Sequence, residues 1–182
     1  AAEGSLSNFT FREGYYSYQP VSYSDIKSNE WYSGYVSLTT KIGLLNGVSE
    51  DEFSPDTNLK ISETIKLAAC MHSIYYTGSS DFTQGTPWYQ VYVDYAKQNG
   101  IISSDYSNYN DHITRGEFAK IFANALPDEA LLPRNIVDVN SLPDVSVSDN
   151  FGPAVYKLYR AGVLTGNDGK GTFSPYSLIL RR

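Results

Sequence analysis

Cysteine occurs once in these 182 residues, as Cys70, so no intramolecular disulfide can form. Its neighbours Leu67, Ala68, Ala69 and Met71 are apolar, which reads as a small buried thiol rather than a reactive one. Lack of disulfides leaves the compartment open, because many exported proteins also have none. Histidine is nearly as scarce. His72 lies on an apolar helical stripe and His112 just before a helix start, and neither has the spacing of a metal ligand or a nucleophile's base. The chain has no Gly-x-Ser-x-Gly word, no phosphate-binding loop and no Cys/His pair. No catalytic residue, cofactor or metal is therefore expected. A glycosidase needs only two acids across a cleft and stays open as a lesser alternative; the acids Glu50-Asp51-Glu52 read as solvated charge in a turn.

Positive charge is also sparse. Fourteen Lys and Arg stand against twenty Asp and Glu, for a net charge of −6, with no basic cluster. Such a chain repels a phosphate backbone, so nucleic acid is excluded as a partner. No apolar run approaches the roughly 18–20 residues that cross a bilayer, so membrane insertion is not expected. The opening Ala1-Ala2-Glu3-Gly4-Ser5 fits either the mature end left after a leader is cut or a shortened chain.

Aromatic residues, by contrast, are abundant: 16 Tyr, 8 Phe and 2 Trp give a 14% share within a 41% hydrophobic chain. Tyr has an apolar face and a polar tip, which suits a wet adhesive surface or the wedge between short helices. The aromatics also mark an internal repeat. Trp31 leads to Gly43, Trp88 to Gly100 and Phe151 to Gly162, at distances of 12, 12 and 11 residues. Each interval has apolar residues at helical spacing, such as Trp88, Val91, Tyr92, Tyr95 and Ala96. Each stops at a glycine followed by an aliphatic residue, the signature of a left-handed helix cap. A short amphipathic helix is expected in each.

Past the glycine come a turn and the words Phe53-Ser54-Pro55 and Phe173-Ser174-Pro175. The loop Asn167-Asp168-Gly169-Lys170-Gly171 is a plain turn, since no acid closes it as in an EF-hand. A second helix then opens. In the middle segment it begins at Thr114-Arg115-Gly116-Glu117, where Thr114 and Glu117 form a capping box. In the first it begins at Lys60-Ile61-Ser62-Glu63 and keeps only the acid. Pro127 and Pro133 end the middle one. The resulting division is an N-terminal Tyr- and Ser-rich segment (1–22), unit one (23–77), unit two (78–130), a linker (131–141) and unit three (142–182).

This order of features is an Asp lead (Asp25, Asp144), an aromatic, a helix, Gly-Leu-x-x-Gly, Phe-x-Pro and Thr-Arg-x-Glu. It resembles the S-layer homology repeat across about residues 23 to 182, with the third copy stopping where its second helix should start. The resemblance implies a mainly α fold of three helix–loop–helix repeats in a pseudo-threefold spindle around a shared helical core. It implies an extracellular anchor on a bacterial, Gram-positive-type cell surface, bound to secondary cell-wall polysaccharide with acidic, pyruvylated sugars in grooves between units. The alternative is a degenerate repeat module for protein–protein interaction or for self-assembly with other surface-layer proteins.

Position by position, the motif arginine is Arg115 in unit two and Arg181 in unit three, eight residues past Phe173; unit one has Ile61 there, with Lys60 beside it as a weak substitute. The other expected contacts are Trp31 and Trp88, Asp25 and Asp144, and the turn glycines Gly47 and Gly166. The bland reading makes Trp31 and Trp88 core anchors at helix starts, Asp25 and Asp144 turn caps, and Arg115 a partner for a nearby acid. Unit two departs furthest, reading Ser103-Ser104-Asp105-Tyr106-Ser107-Asn108-Tyr109 in place of the second glycine and Phe-x-Pro.

Overall fold

The computed structural model describes residues 23–182. The N-terminal segment 1–22, expected to stand outside the repeats, lies outside the described residues. The fold is mainly α: α1 (Ser33–Lys41), α2 (Ile61–Thr77), α3 (Gln90–Gln98), α4 (Arg115–Ala125) and α5 (Gly152–Arg160), with one 3₁₀ turn (Asp128–Ala130) after α4.

Three of these, α1, α3 and α5, are the helices that lead to a glycine, and they end in the same way. Gly43, Gly100 and Gly162 have φ of 74°, 70° and 74°, a conformation without steric cost only for glycine. The next residue then turns back. Leu44 N–H donates to the Thr39 carbonyl at 2.9 Å, Ile101 N–H to Ala96 at 2.8 Å, and Val163 N–H to Leu158 at 2.9 Å. These are Schellman closures, and they satisfy carbonyls that the last helical turn leaves open. α1 and α3 start two residues after Trp31 and Trp88, which stand in the preceding turn, and α5 starts one residue after Phe151.

Helices α2 and α4 share the capping chemistry between them. Thr114 Oγ accepts from Glu117 N–H at 3.3 Å, but the Glu117 carboxylate does not complete the expected box. It accepts instead from the Tyr106 hydroxyl at 2.6 Å and from Lys120. The other half of the box appears at α2, where the Glu63 carboxylate accepts the Lys60 backbone N–H at 2.9 Å.

Packing runs from α3 to α2, from α2 to α4 and from α4 to α5. One apolar cluster joins Ile65, Ala68 and Ala69 of α2 to Val93 and Ala96 of α3 and Ile121 of α4. A second joins Ala119 and Ala123 of α4 to Val155, Tyr156 and Leu158 of α5. The alanines allow the helix axes close approach, and each cluster needs side chains from at least two sequence segments. Residues 131–141 are irregular but tied down: Arg134 and Asn135 N–H both donate to the Arg160 carbonyl, and Arg160 Nε donates to Val137 O at 3.0 Å.

The segments that open α2 and α4, together with 177–181, meet pairwise through isolated antiparallel bridges: Asn58 with Leu180, Lys60 with His112, and Thr114 with Leu178. Their hydrogen bonds run in a cycle. Ile61 N–H donates to Asp111 O at 2.9 Å, Arg115 N–H to Ser177 O at 2.9 Å, and Arg181 N–H to Thr57 O at 3.0 Å. Ile61, Arg115 and Arg181, which the sequence aligns, are therefore equivalent in hydrogen bonding as well.

Candidate functional site

The cycle delivers Arg181 into a groove built from the other segments. Its guanidinium lies over the Phe53 ring, 5.0 Å from the centroid. Nε donates to Phe53 O at 3.1 Å, Nη2 donates to Asn46 O at 2.7 Å, and Nη1 pairs with the Glu63 carboxylate. Arg181 is only 6% exposed. A guanidinium has five N–H donors in a fixed fork, so this clamp engages three and leaves two. Around it Leu44, Asn46, Gly47, Glu63, Lys66 and Trp88 line a cavity of about 190 Å³.

Arg115 repeats the arrangement. It lies over Phe173 at 4.6 Å, with Nε to Phe173 O at 2.8 Å and Nη2 to Thr165 O at 3.2 Å. No carboxylate pairs with it among the described residues. At the third equivalent position Ile61 is 9% exposed and belongs to the apolar core.

The two aspartates hold the turns that carry Phe53 and Phe173. Asp25 accepts from Phe53 N–H at 3.0 Å and Ser54 N–H at 2.6 Å; Asp144 accepts from Phe173 N–H at 2.8 Å and Ser174 N–H at 2.6 Å. Ser54 and Ser174 have φ of 57° and 59°, which costs a non-glycine residue roughly 1–2 kcal/mol. Two charge-assisted bonds per carboxylate offset that strain. The turn glycines are packing positions. A Cβ on Gly47 would stand 2.5 Å from the Tyr23 ring and from Ser49 O, and one on Gly166 2.6 Å from the Gly171 backbone. Gly47 still reaches the groove. The Lys60 side chain is exposed and does not line it.

The tryptophans are not core anchors. Trp88 is 43% exposed on the groove wall, and Trp31 is 69% exposed against Tyr32 and Tyr35. Standing one turn before the helix, each indole projects past the packed face, and the adjacent Tyr32, 6% exposed, takes the inward place beside Trp31.

Lys66 is the group that sequence reasoning missed. Its ammonium lines the groove without an ion pair among the described residues, and its pKa is lowered by burial and by the positive charge of Arg181. The available signal was spacing: Lys66 and Lys120 each stand three residues past the first-turn glutamates Glu63 and Glu117. Lys120 lines the corresponding cleft between α4 and α5, about 290 Å³, but there it is tied to Glu117 at 3.1 Å. No group of three or more His, Cys, Asp or Glu able to hold a metal occurs among the described residues. Cys70 is buried, which pushes its thiol up to about 11 and leaves it unreactive.

The family model for the S-layer homology domain matches residues 22–60 and 141–181, the segments that contain both Asp-held Phe-Ser-Pro turns. Those two segments are S-layer homology sequence. The middle segment, which departs from the repeat at residues 103–109, is not matched. Among curated proteins the chain is similar to the surface-layer 125 kDa protein of Lysinibacillus sphaericus, 29% identical over 143 residues. That alignment covers 71% of this chain and 12% of the relative. It is also similar to a cell surface protein of Thermoanaerobacter kivui, 29% identical over 105 residues, covering 58% of this chain and 13% of the relative. The chain thus spans about an eighth of the length of either relative. The chain therefore resembles the S-layer homology domain in two segments and two relatives named as surface proteins.

Proposed function

We propose that this chain is a non-catalytic anchoring module of an exported surface protein, which holds secondary cell-wall polysaccharide in the groove at Arg181. The module consists of three S-layer homology repeats (23–77, 78–130 and 142–182, with 131–141 as linker) in pseudo-threefold arrangement. The observation that carries the reading is one groove that combines a clamped guanidinium, an ammonium without an ion pair among the described residues and a part-exposed indole. A sugar carboxylate accepts from Lys66 and from the two remaining Arg181 N–H groups, while Trp88 covers a sugar face. Arg181 serves as much to shape the groove as to touch the ligand, because most of its donors are committed to the protein. Arg115, over Phe173 and bonded to Thr165 O, marks a second, less enclosed site of the same type beside Gly166, to which Trp31 belongs by its repeat position. The ligand is acidic, as in a pyruvylated amino sugar, because the groove presents two cations against the single carboxylate of Glu63.

The test is retention of the purified chain on cell-wall sacculi before and after removal of their secondary polysaccharide. Retention is expected to vanish with the polysaccharide. Lys66→Ala and Trp88→Ala are each expected to weaken it by about 1–2 kcal/mol, roughly 5- to 30-fold, with the fold intact. Equal retention on stripped walls would overturn the reading in favour of binding to protein, as would full retention by both variants.

A further inference from the structure

The hydrogen-bond cycle sets Ile61 in unit one where Arg181 stands in unit three, and the parts of the groove at Arg181 have counterparts around Ile61. Residues 101–104 follow Gly100 as 44–47 follow Gly43. Glu117 and Lys120 stand three and six residues past Thr114, as Glu63 and Lys66 stand past Lys60. Asn150 stands two residues before α5, as Trp88 stands before α3. Ser62 N–H donates to Tyr109 O at 3.0 Å as Gly116 N–H donates to Pro175 O at 2.8 Å, which sets Ser107 against Phe173 and Tyr106 one residue before it.

Every group on which ligand binding at Arg181 depends is changed here. In place of the arginine is Ile61, buried in the apolar core, and in place of the indole is Asn150. Lys66 has no ion pair among the described residues, but Lys120 Nζ is held on both Glu117 oxygens, at 3.1 and 3.2 Å. Leu44 and Leu45 are part-buried and line the cavity at Arg181, whereas Ile101 and Ile102 are buried in the core. Tyr106 packs its ring on that core and donates its hydroxyl to Glu117 at 2.6 Å, the kind of contact that Arg181 makes with Glu63. Burial and the Glu117 carboxylate push the phenol above its ordinary pKa, so it stays a donor. The cleft between α4 and α5 is lined from Lys120 outward, and by neither Tyr106 nor Glu117.

We infer that Tyr106 closes the groove at Ile61: its hydroxyl takes over the guanidinium's hold on a first-turn glutamate, and the result is a structural joint that takes no acidic ligand. The loss of arginine from unit one and of Phe-x-Pro from unit two is then a single change. Both fall at one joint, where Ile61 N–H donates to Asp111 O and Ser62 N–H to Tyr109 O. A guanidinium at position 61 would compete with Tyr106 for Glu117, and Glu117, held by Tyr106, in turn holds Lys120 away from any ligand. The absence of ligand rests on the function proposed above; the closure by Tyr106 stands without it.

Two readouts on the whole chain separate the closure from the ligand. Thermal melting reads the closure. Tyr106→Phe and Glu117→Gln should each lower the melting temperature by about 3–10 °C, and the double variant should fall well short of their sum. Additive losses would overturn the closure. Retention on cell-wall sacculi that carry their secondary polysaccharide reads the ligand, with substitutions matched by position. Lys66→Ala and Trp88→Ala should weaken retention roughly 5- to 30-fold, whereas Lys120→Ala and Asn150→Ala should leave it within about 2-fold. A larger loss from either of the second pair, with unchanged circular dichroism, would put ligand in this groove and overturn the inference. A native chain that sacculi do not retain would sink the proposed function instead, and melting would still decide whether Tyr106 holds Glu117.

Discussion

Replacing Arg181 with alanine removes a side chain with three hydrogen bonds to separate segments, to Phe53 O, Asn46 O and Glu63. The variant therefore tests whether this arginine is chiefly a clamp or chiefly a ligand contact. Arg181 and Glu63 side chains are 3% and 21% exposed, so the variant leaves Glu63 largely buried without its cation. Breaking a buried pair in this way costs about 3–5 kcal/mol, and partial access of water to Glu63 returns some of it, for an expected loss of about 2–4 kcal/mol. In a chain of this size each kcal/mol lowers the melting temperature by roughly 2–4 °C, so a fall of about 5–15 °C should appear. Urea unfolding followed by near-UV circular dichroism measures the free energy directly. Arg181→Lys should recover little, because one ammonium cannot serve two carbonyls and a carboxylate in the fork geometry. Arg181→Ala with Glu63→Gln should cost less than the sum of the single changes, since the stranded charge is gone. Arg115→Ala is the internal control: part-exposed and without a carboxylate, it should cost about 1–2 kcal/mol. Losses below about 1 kcal/mol for Arg181→Ala, or equal losses for the two arginines, would refute the assignment of Arg181 as a structural clamp.

Two further substitutions test the surroundings. Gly47→Ala should destabilise by about 1–3 kcal/mol, because its Cβ meets the Ser49 and Glu52 carbonyls at 2.5 and 2.6 Å, and backbone cannot swing aside. Wall binding should then fall only where the fold falls, so a stable Gly47→Ala chain that fails to bind would reassign this glycine to ligand contact. His72, whose Nδ1 lies 2.8 Å from the Tyr95 hydroxyl, has its pKa lowered by burial. The unfolded state then holds more protons than the folded one below the ordinary histidine value of about 6.5, so stability falls as pH drops from there toward the folded pKa. His72→Phe should flatten that part of the pH–stability profile, and an unchanged slope between pH 7 and 5 would show that other groups set it.

The local grammar of the fold was legible because it follows from single residues. Gly43, Gly100 and Gly162 end their helices in the conformation that glycine alone adopts freely, and the alignment of Ile61, Arg115 and Arg181 by sequence distance reappears as a hydrogen-bond cycle. The Asp leads were legible as turn caps, and they bond to residues 28 to 30 positions away. What remained hidden depends on which neighbour arrives from another segment. The box at Thr114 fails on its acid side because Tyr106 and Lys120 compete for the Glu117 carboxylate, and no spacing within the box reveals them.

Tyr35 and Tyr92 make the point most directly. They occupy the same place, four residues past Trp31 and Trp88, in helices with the same length and the same glycine ending. One is 65% exposed and the other 5%, and the difference is that α2 and Phe82 cover the second. Helical period assigns a side chain to a face but cannot say whether that face has a neighbour. A repeat that shares its core with its neighbours therefore carries its stability, and the shape of its grooves, in contacts that no single copy of the motif contains.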